Sequence, residues 1–455
     1  MWRSLFRKKA IDVQAEHSLL RYLGLFDLTL LGIGAIIGAG IFVITGVAAA
    51  TQAGPALIIS FIFSGTAAMF AALAYAELAA SIGGCGSAYG YAYVGFGEIF
   101  AWMIGWDLLL EYSLGMATVA IGWSGYVKNV FEGIGFALPE ALTRSPFQGG
   151  DINLLAVFIV LAVTGLLAAG IKSTARFNAL VVTIKLFAIA VFIGIAVFNV
   201  QPANWQNFMP FGWSGVMAGA GLVFFAYIGF DALSTAVEES VEPQYNVPRG
   251  IMLSLAVCTT LYILVSILLT GIVPYTFLNV SSPISDALLK IGYPFGAALV
   301  AAGAIAGLTT VMIVLFYGLS RICLAMSLDG LLPGFLGKIN STTKAPVRLI
   351  LVLGCLIAPL AGLLPIDRAA ELVNIGTLMA FIFVCAGVIY LRKTQPDLPR
   401  PFRLPFSPLF PILGILSCFY LMVHLPTVTW LRFVLWALFG FVLYFIYGRS
   451  NSELE

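Results

Sequence analysis

Residues 32–46 read GIGAIIGAGIFVITG, a stretch with five glycines, one hydroxyl group and no charged side chain. Its apolar residues are typical of a membrane-spanning helix, yet each glycine destabilises a helix interior by roughly 1 kcal/mol relative to alanine. Glycines in such a helix either let a neighbouring helix pack closely or mark a point where the helix is broken. Close packing is our interpretation for Gly32 and Gly46 near the ends of the stretch, and a break is our interpretation for its centre, Gly38-Ala39-Gly40.

The composition of the whole chain indicates whether it is surrounded by water or by lipid. Of 455 residues, 61% are hydrophobic and 10% are charged, and the mean hydropathy is +1.02. A water-soluble chain cannot bury so much apolar surface. Apolar runs of about 17 to 25 residues recur along the chain, without the roughly 10-residue alternation of a membrane β-barrel. We therefore expect an all-α membrane protein with twelve transmembrane helices.

The basic residues predict the orientation of these helices. Most of the 23 Lys and Arg residues fall in segments that an even number of spans places on one side of the membrane. Such a bias marks the cytoplasmic side, so both termini are expected in the cytoplasm of a multi-pass cell-membrane protein. The basic residues 1–26 lack the apolar core of a signal peptide and are interpreted as a cytoplasmic leader.

Other classes of protein are disfavoured by the same composition. A formal charge of +2 gives no reason to expect a nucleic-acid partner, and the lipid bilayer is the expected surrounding. The six cysteines are irregularly spaced and the two histidines lie far apart, so neither a metal cluster nor a catalytic constellation is predicted. We expect no enzymatic activity, no metal and no cofactor.

A second interruption occurs in the sixth predicted span, where residues 225–231 read FAYIGFD. The first and sixth spans each open a set of five, so the two interruptions occupy corresponding positions. Paired interrupted helices are typical of inverted-repeat transporters, whose binding site lies at the membrane midplane. Unpaired N–H groups at a half-helix start suit a carboxylate, and unpaired carbonyls suit an ammonium. A zwitterionic amino acid would satisfy both.

Four ordered stretches resemble the amino acid-polyamine-organocation superfamily, and they are most similar to bacterial relatives of the cationic amino acid transporters. The similarity covers about residues 20 to 405. The stretches are RYLGLFDLTLLGIGAIIGAGIFVITG at 21–46, YAELAASIGGCGSAYGYAYVGFGE at 75–98, FFAYIGFDALSTAVEESVEPQYNVPRGI at 224–251 and SRICLAMSLDGLLP at 320–333.

This resemblance implies the five-plus-five inverted-repeat fold of the leucine-transporter type, with amino acid import by alternating access. The expected organisation is a leader at 1–26, a first repeat of helices 1–5 at 27–198, a second repeat of helices 6–10 at 199–393, and helices 11–12 with a short C-terminus at 394–455.

The resemblance also assigns the substrate contacts. Backbone N–H groups of Ala39, Gly40 and Ile41, in the break that Gly38 opens, would bind the substrate carboxylate. Ammonium-binding carbonyls would come from Ile36, Phe225, Ala226 and Ile228, and Phe225 would also cover the site as an aromatic lid. Ala39 stands where family members often have Ser or Thr, which removes a hydroxyl from the carboxylate site but leaves its backbone donors.

Lys185 is the most informative charged residue. It lies nine residues beyond Arg176, which places its backbone roughly 13 Å deep in a core about 30 Å thick. In proton-coupled members of the superfamily, a lysine on the fifth helix occupies the place that sodium fills in sodium-coupled relatives. We interpret Lys185 as a proton-coupling residue, against the alternative of a static structural ammonium.

Several acids lie within predicted spans, where each needs a partner or a purpose, and three of them are candidates for the transport pathway. Asp231 is a candidate for gating or proton relay, and Asp107 and Glu111 share one face of the third helix, which in this fold lines the pathway. Leu315 is expected to face the pocket.

The sequence leaves alternatives for the substrate, for the class of transporter and for a partner subunit. The apolar lining favours neutral amino acids, although Glu111 leaves cationic ones possible. A channel, or a carrier of nucleobases or sugars on the same fold, is the alternative. Whether a small accessory subunit binds is not indicated.

Overall fold

The computed structural model describes residues 6–9, 23–82, 88–170, 175–231, 233–234, 240–341, 343 and 345–452. Over these residues the secondary structure is helical, apart from one isolated parallel bridge between Leu23 and Ser240. The expected all-α class is therefore confirmed for the described part of the chain. Most of the predicted leader lies outside the described residues.

Sixteen α-helices are described, several of them joined by short 3₁₀ or π turns. They are α1 (Leu25–Ile36), α2 (Thr45–Ala48), α3 (Leu57–Ile82), α4 (Ala88–Gly95), α5 (Glu98–Gly133), α6 (Leu154–Ala168), α7 (Ala175–Ala196), α8 (Gly212–Val223), α9 (Pro243–Ile272), α10 (Pro283–Lys290), α11 (Pro294–Leu328), α12 (Val347–Leu363), α13 (Ile366–Thr394), α14 (Leu409–Val423), α15 (Thr427–Leu443) and α16 (Arg449–Asn451).

Length and apolar composition make many of these helices suitable for a bilayer. In the described part of the chain, seven helical segments are long and apolar enough to cross a membrane, and five shorter apolar helices accompany them. The seven are Gly40–Ile82, Glu98–Gly133, Phe177–Ala196, Pro243–Ile272, Pro294–Leu328, Ile366–Thr394 and Thr427–Asn451. Backbone groups must be hydrogen-bonded within lipid, and a helix forms these bonds within its own segment. The chain is therefore a multi-pass membrane protein.

The backbone leaves the α-helical conformation at both interruptions. Helix α1 ends at Ile36, Ile37 is extended with φ −74° and ψ 99°, and a π-helical turn spans Gly40–Ile44. Helix α8 ends at Val223, a 3₁₀ turn follows, and Ile228 is extended with ψ 141°. The next residue, Gly229, has φ 115°, a conformation that glycine adopts without strain.

Close contacts hold the interrupted first segment in the bundle. Helix α1 packs against α7 and α9, while the long helices α5 and α11 pack against each other. A Cβ atom on Gly32 would lie 2.6 Å from Ser254 Oγ of α9, and one on Gly46 would lie 2.4 Å from Pro283 Cβ of α10. These distances are too short for any larger residue, which agrees with the packing role expected for both glycines.

Candidate substrate site

The two helix breaks lie directly against each other. A Cβ atom on Gly40 would lie 2.3 Å from Ala226 Cα, so the backbones touch at a distance that only glycine permits. In the reciprocal contact, a Cβ atom on Gly229 would lie 2.8 Å from the carbonyl oxygen of Ala35. Segments about 190 residues apart in sequence are therefore in direct contact around the two breaks.

A cavity opens at this contact, and the empty space of about 390 Å³ around it includes the open space at its mouth. Of the predicted substrate contacts, Ile36, Gly38, Ala39, Gly40, Phe225, Ile228 and Leu315 line it. Ile41 and Ala226 are fully buried beside the cavity and are not in its lining. The remaining lining residues are Ala35, Glu111, Tyr112, Gly115, Val119, Val311 and Val373.

One part of the cavity lining, which we name the backbone end, is formed by the residues of the two breaks. Here the π-helical turn Gly40–Ile44 begins beside the cavity. The first N–H groups of a helix have no acceptor within that helix, and its dipole makes them attractive to an anion. The main chain at Gly40 is thus suited to a carboxylate, and binding of a carboxylate there stays a prediction.

Tyr262 of α9 connects the carbonyls of the two breaks. Its buried hydroxyl lies 3.0 Å from the carbonyl oxygen of Ile36 and 2.7 Å from that of Ala226. A hydroxyl carries one proton and donates it to one acceptor at a time, while each carbonyl oxygen has two lone pairs. Of the four carbonyls that the sequence assigned to the substrate ammonium, those of Ile36 and Ala226 thus have Tyr262 beside them and keep a second acceptor position. That of Phe225 accepts from the backbone N–H of Ile228.

Lys185 of α7 is fully buried behind the first break. Its ammonium donates to the carbonyl oxygen of Gly34 at 2.6 Å and to that of Ile37 at 2.9 Å. These carbonyls lie at the end of α1, where the helix dipole is negative. Lys185 thus joins α7 to the first helix, where the family resemblance places a lysine. Its role in proton coupling stays a prediction.

The predicted acids lie at different places around the cavity. Glu111 lines it, and Asp231 accepts a hydrogen bond of 2.6 Å from the hydroxyl of Tyr112. Asp107 is buried one helical turn away, beside Gly376 of α13. Among the described residues, no hydrogen-bond partner is present for either carboxyl oxygen of Asp107 or for Oε2 of Glu111.

Glu77 is another buried acid, but unlike Asp107 it has hydrogen-bond partners for its carboxylate. Glu77 of α3 accepts two hydrogen bonds from the guanidinium of Arg392, at 2.8 and 2.5 Å, and one of 2.7 Å from the backbone N–H of Leu404. Its charge is compensated, whereas burying a charged carboxylate without partners is costly. Asp107 and Oε2 of Glu111 lack such compensation among the described residues, whereas Glu77 is suited to fix α3 to α13.

The rest of the cavity lining, which we name the apolar end, is made of side chains and one glycine. It begins directly beside the first break, because a Cβ atom on Gly38 would lie 3.4 Å from Val311 Cγ1. Val119 and Gly115 belong to α5, Val311 and Leu315 to α11, and Val373 to α13. Apolar walls of this kind recognise an aliphatic group through burial of its surface. The sequence predicted Leu315 here but missed the other four, because it does not show which face of each helix meets the cavity.

Comparison with known proteins gives a family and several relatives. The model of the family described as "Amino acid permease" matches residues 23–452. The chain is 48% identical to the branched-chain amino acid permease BcaP of Bacillus subtilis, over 99% of both chains. It is also 48% identical to the methylthioribose transporter of Bacillus subtilis, again over 99% of both. Cationic amino acid transporter 4 of Homo sapiens is 38% identical, over 86% of this chain and 63% of that protein.

Proposed function

This chain belongs to the amino acid permease family and transports amino acids, and we propose that it takes up small and medium neutral amino acids by proton symport. The observation that carries this proposal is the pair of facing helix breaks, with Lys185 bonded to the end of α1 and the cavity between them. Such a site fits a zwitterion with an aliphatic side chain. Main-chain donors and acceptors of the backbone end would bind its charged groups, and the apolar end would surround its side chain.

The architecture that we propose has twelve membrane crossings in the cytoplasmic membrane, with both termini in the cytoplasm. Helices 1–5 and 6–10 would form inverted repeats, followed by two further helices. The corresponding positions of the two breaks support this arrangement, as does the set of seven long and five shorter apolar helices among the described residues. Alternating access would then move the repeats around a fixed central site.

Proton coupling in this proposal acts through Lys185. A charged ammonium donates to the carbonyls of Gly34 and Ile37 and holds the end of α1 in the bundle. Loss of a proton removes the positive charge and weakens these charge-assisted bonds. In this proposal Lys185 takes up its proton from the outside and releases it to the cytoplasmic side, which frees the first helix, so the proton and the substrate would cross in the same direction. No sodium ion is required.

The apolar end supports neutral substrates over cationic ones. Val119, Val311 and Val373 provide no countercharge, and Glu111 is the acid that remains for a cationic side chain. A relative that carries branched-chain amino acids fits this lining. An equally similar relative carries methylthioribose, which makes an uncharged thioether sugar the second candidate substrate.

The test is uptake into liposomes that contain the purified protein, with an imposed pH gradient and with or without sodium. We expect alanine, leucine and valine to accumulate when the outside is acidic, independently of sodium, and arginine to compete weakly. Lys185→Ala should abolish gradient-driven accumulation. Lys290→Ala is the matched control, because Lys290 is exposed and its partners, Asp286 one helical turn away and Phe277, lie outside the cavity lining.

Two results would contradict separate parts of the proposal. Sodium-dependent uptake that persists in Lys185→Ala would exclude the coupling role of this lysine. Accumulation of methylthioribose, with no competition from any amino acid, would exclude the substrate class.

A further inference from the structure

Helix α5 contains several buried glycines that are explained by packing. A Cβ atom would lie 2.7 Å from Met326 Sδ at Gly105, 2.9 Å from Val43 Cγ2 at Gly122, and 2.3 Å from Ser281 Cβ at Gly125. Real Cβ atoms do not approach other atoms so closely, so these positions exclude alanine unless the neighbours move. Each of the three glycines lets another part of the bundle approach α5.

Gly115 has no such explanation. It is buried, yet the nearest atom to a Cβ at this position would be Leu315 Cδ1 at 3.6 Å, an ordinary van der Waals distance. Alanine would fit without any rearrangement and would favour the helix by roughly 1 kcal/mol. The space in front of Gly115 belongs to the cavity, because Gly115 is one of its lining residues.

The position of Gly115 within the cavity is defined by helix geometry. Glu111, Gly115 and Val119 follow at intervals of four residues, which places them along one face of α5. All three line the cavity, with Leu315 of α11 opposite Gly115. The distance between these two helices at this level sets how wide a substrate side chain can be.

We propose that Gly115 is a specificity-determining residue, whose missing side chain leaves room against Leu315 for one methyl group of a branched aliphatic side chain. This inference rests on the proposed function, because it assumes that the amino acid side chain occupies the apolar end. Leu315 forms the opposite wall, so the two residues act as a pair: a larger residue at 115 requires a smaller one at 315.

The experiment measures exchange of labelled amino acids across liposomes at equal pH on both sides, which does not depend on proton coupling. In Gly115→Ala, the KM for leucine and valine should rise about 10-fold or more, since one methylene in an apolar pocket changes specificity by that order. The KM for alanine should stay within about twofold, because its short side chain does not reach the added methyl group.

Matched controls come from glycines that also have room but lie outside the cavity. Gly165 of α6 and Gly194 of α7 are exposed helical glycines with nothing within 4 Å of a Cβ atom. Gly165→Ala and Gly194→Ala should leave the ratio of the leucine and alanine KM values unchanged.

A second-site variant separates pocket width from a general structural role. Gly115→Ala combined with Leu315→Val removes a methylene opposite the one that was added, and it should restore much of the leucine affinity. Loss of alanine and leucine exchange in equal measure in Gly115→Ala, or failure of Leu315→Val to restore leucine, would overturn the role of Gly115. A wild-type protein that exchanges none of these amino acids would instead contradict the proposed function.

Discussion

The two ends of the cavity differ in the kind of atom that lines them. At the backbone end, main-chain groups of the two breaks are held in place by buried donors, Lys185 and Tyr262. At the apolar end, the walls are side chains of Val119, Leu315 and their neighbours. One end is built from atoms that every residue possesses, and the other from atoms that differ with every substitution.

This difference corresponds to the chemistry of an amino acid substrate. The carboxylate and ammonium are common to all amino acids, so a site made of backbone groups can bind them in one fixed way. The side chain is what varies, and only side-chain walls of adjustable size can distinguish one substrate from another. Changes at the backbone end should therefore affect all substrates alike, and changes at the apolar end should alter their ratio.

The largest effect is expected for Gly40→Ala at the backbone end. The added Cβ would lie 2.3 Å from the backbone of Ala226, which a side-chain rotation cannot relieve. Displacing the break by a fraction of an ångström should reduce uptake of alanine and leucine alike by about 100-fold or more. Initial rates in liposomes would measure this loss.

Gly194→Ala is the control for this substitution, and size-exclusion chromatography would show whether both variants remain folded. If Gly40→Ala transported at the wild-type rate, the close contact between the two breaks would be unnecessary.

An intermediate effect is expected for Tyr262→Phe. Without the hydroxyl, the carbonyls of Ile36 and Ala226 lose their common donor, and an unsatisfied buried carbonyl costs roughly 1 to 3 kcal/mol. The rate for every amino acid should fall about 10-fold, which corresponds to 1.4 kcal/mol. The ratio between leucine and alanine should not change.

Tyr420→Phe makes the same chemical change at an exposed position and should have no effect. A Tyr262→Phe variant that altered the leucine-to-alanine ratio would show that the backbone end also contributes to selectivity.

The smallest effect is expected for Val119→Ala at the apolar end. We expect the leucine side chain to contact one of the two methyl groups that are removed, so its KM should rise about threefold, close to the roughly 0.8 kcal/mol of one buried methylene. Alanine does not reach this wall, so its KM should be unchanged. Competition of unlabelled leucine against labelled alanine would measure the difference.

Val428→Ala, at an exposed position on α15, serves as the comparison. An equal change for both amino acids in Val119→Ala would remove the distinction between the two ends.

Much of the backbone end could be predicted from the sequence, because its signals are local. The glycines at 38 and 40 and the stretch FAYIGFD interrupt apolar segments, and the depth of Lys185 follows from counting residues along one helix. Tyr262 was missed although a signal was present, since a tyrosine inside an apolar span needs a partner for its hydroxyl. The sequence does not name that partner.

Most residues of the apolar end could not be predicted from the sequence. Gly115, Val119 and Val373 are ordinary residues in apolar helices, and nothing local distinguishes them from residues that pack in the core or face lipid. One weak signal existed for Gly115 and Val119, because they continue the face of Glu111 at intervals of four residues. Their importance depends on helices α11 and α13 lying opposite.

The sequence by itself determined the membrane environment, the helical class, the two breaks and the burial of a lysine, because each follows from composition or from spacing along one segment. Only the tertiary structure decided that the breaks touch, that Tyr262 lies beside carbonyls of both, and that Gly115 has room for a methyl group where Gly105, Gly122 and Gly125 of α5 have none. The physical reason is that contacts between helices depend on their relative rotation and position. These are set by the packing of the whole bundle and are not encoded in any one segment.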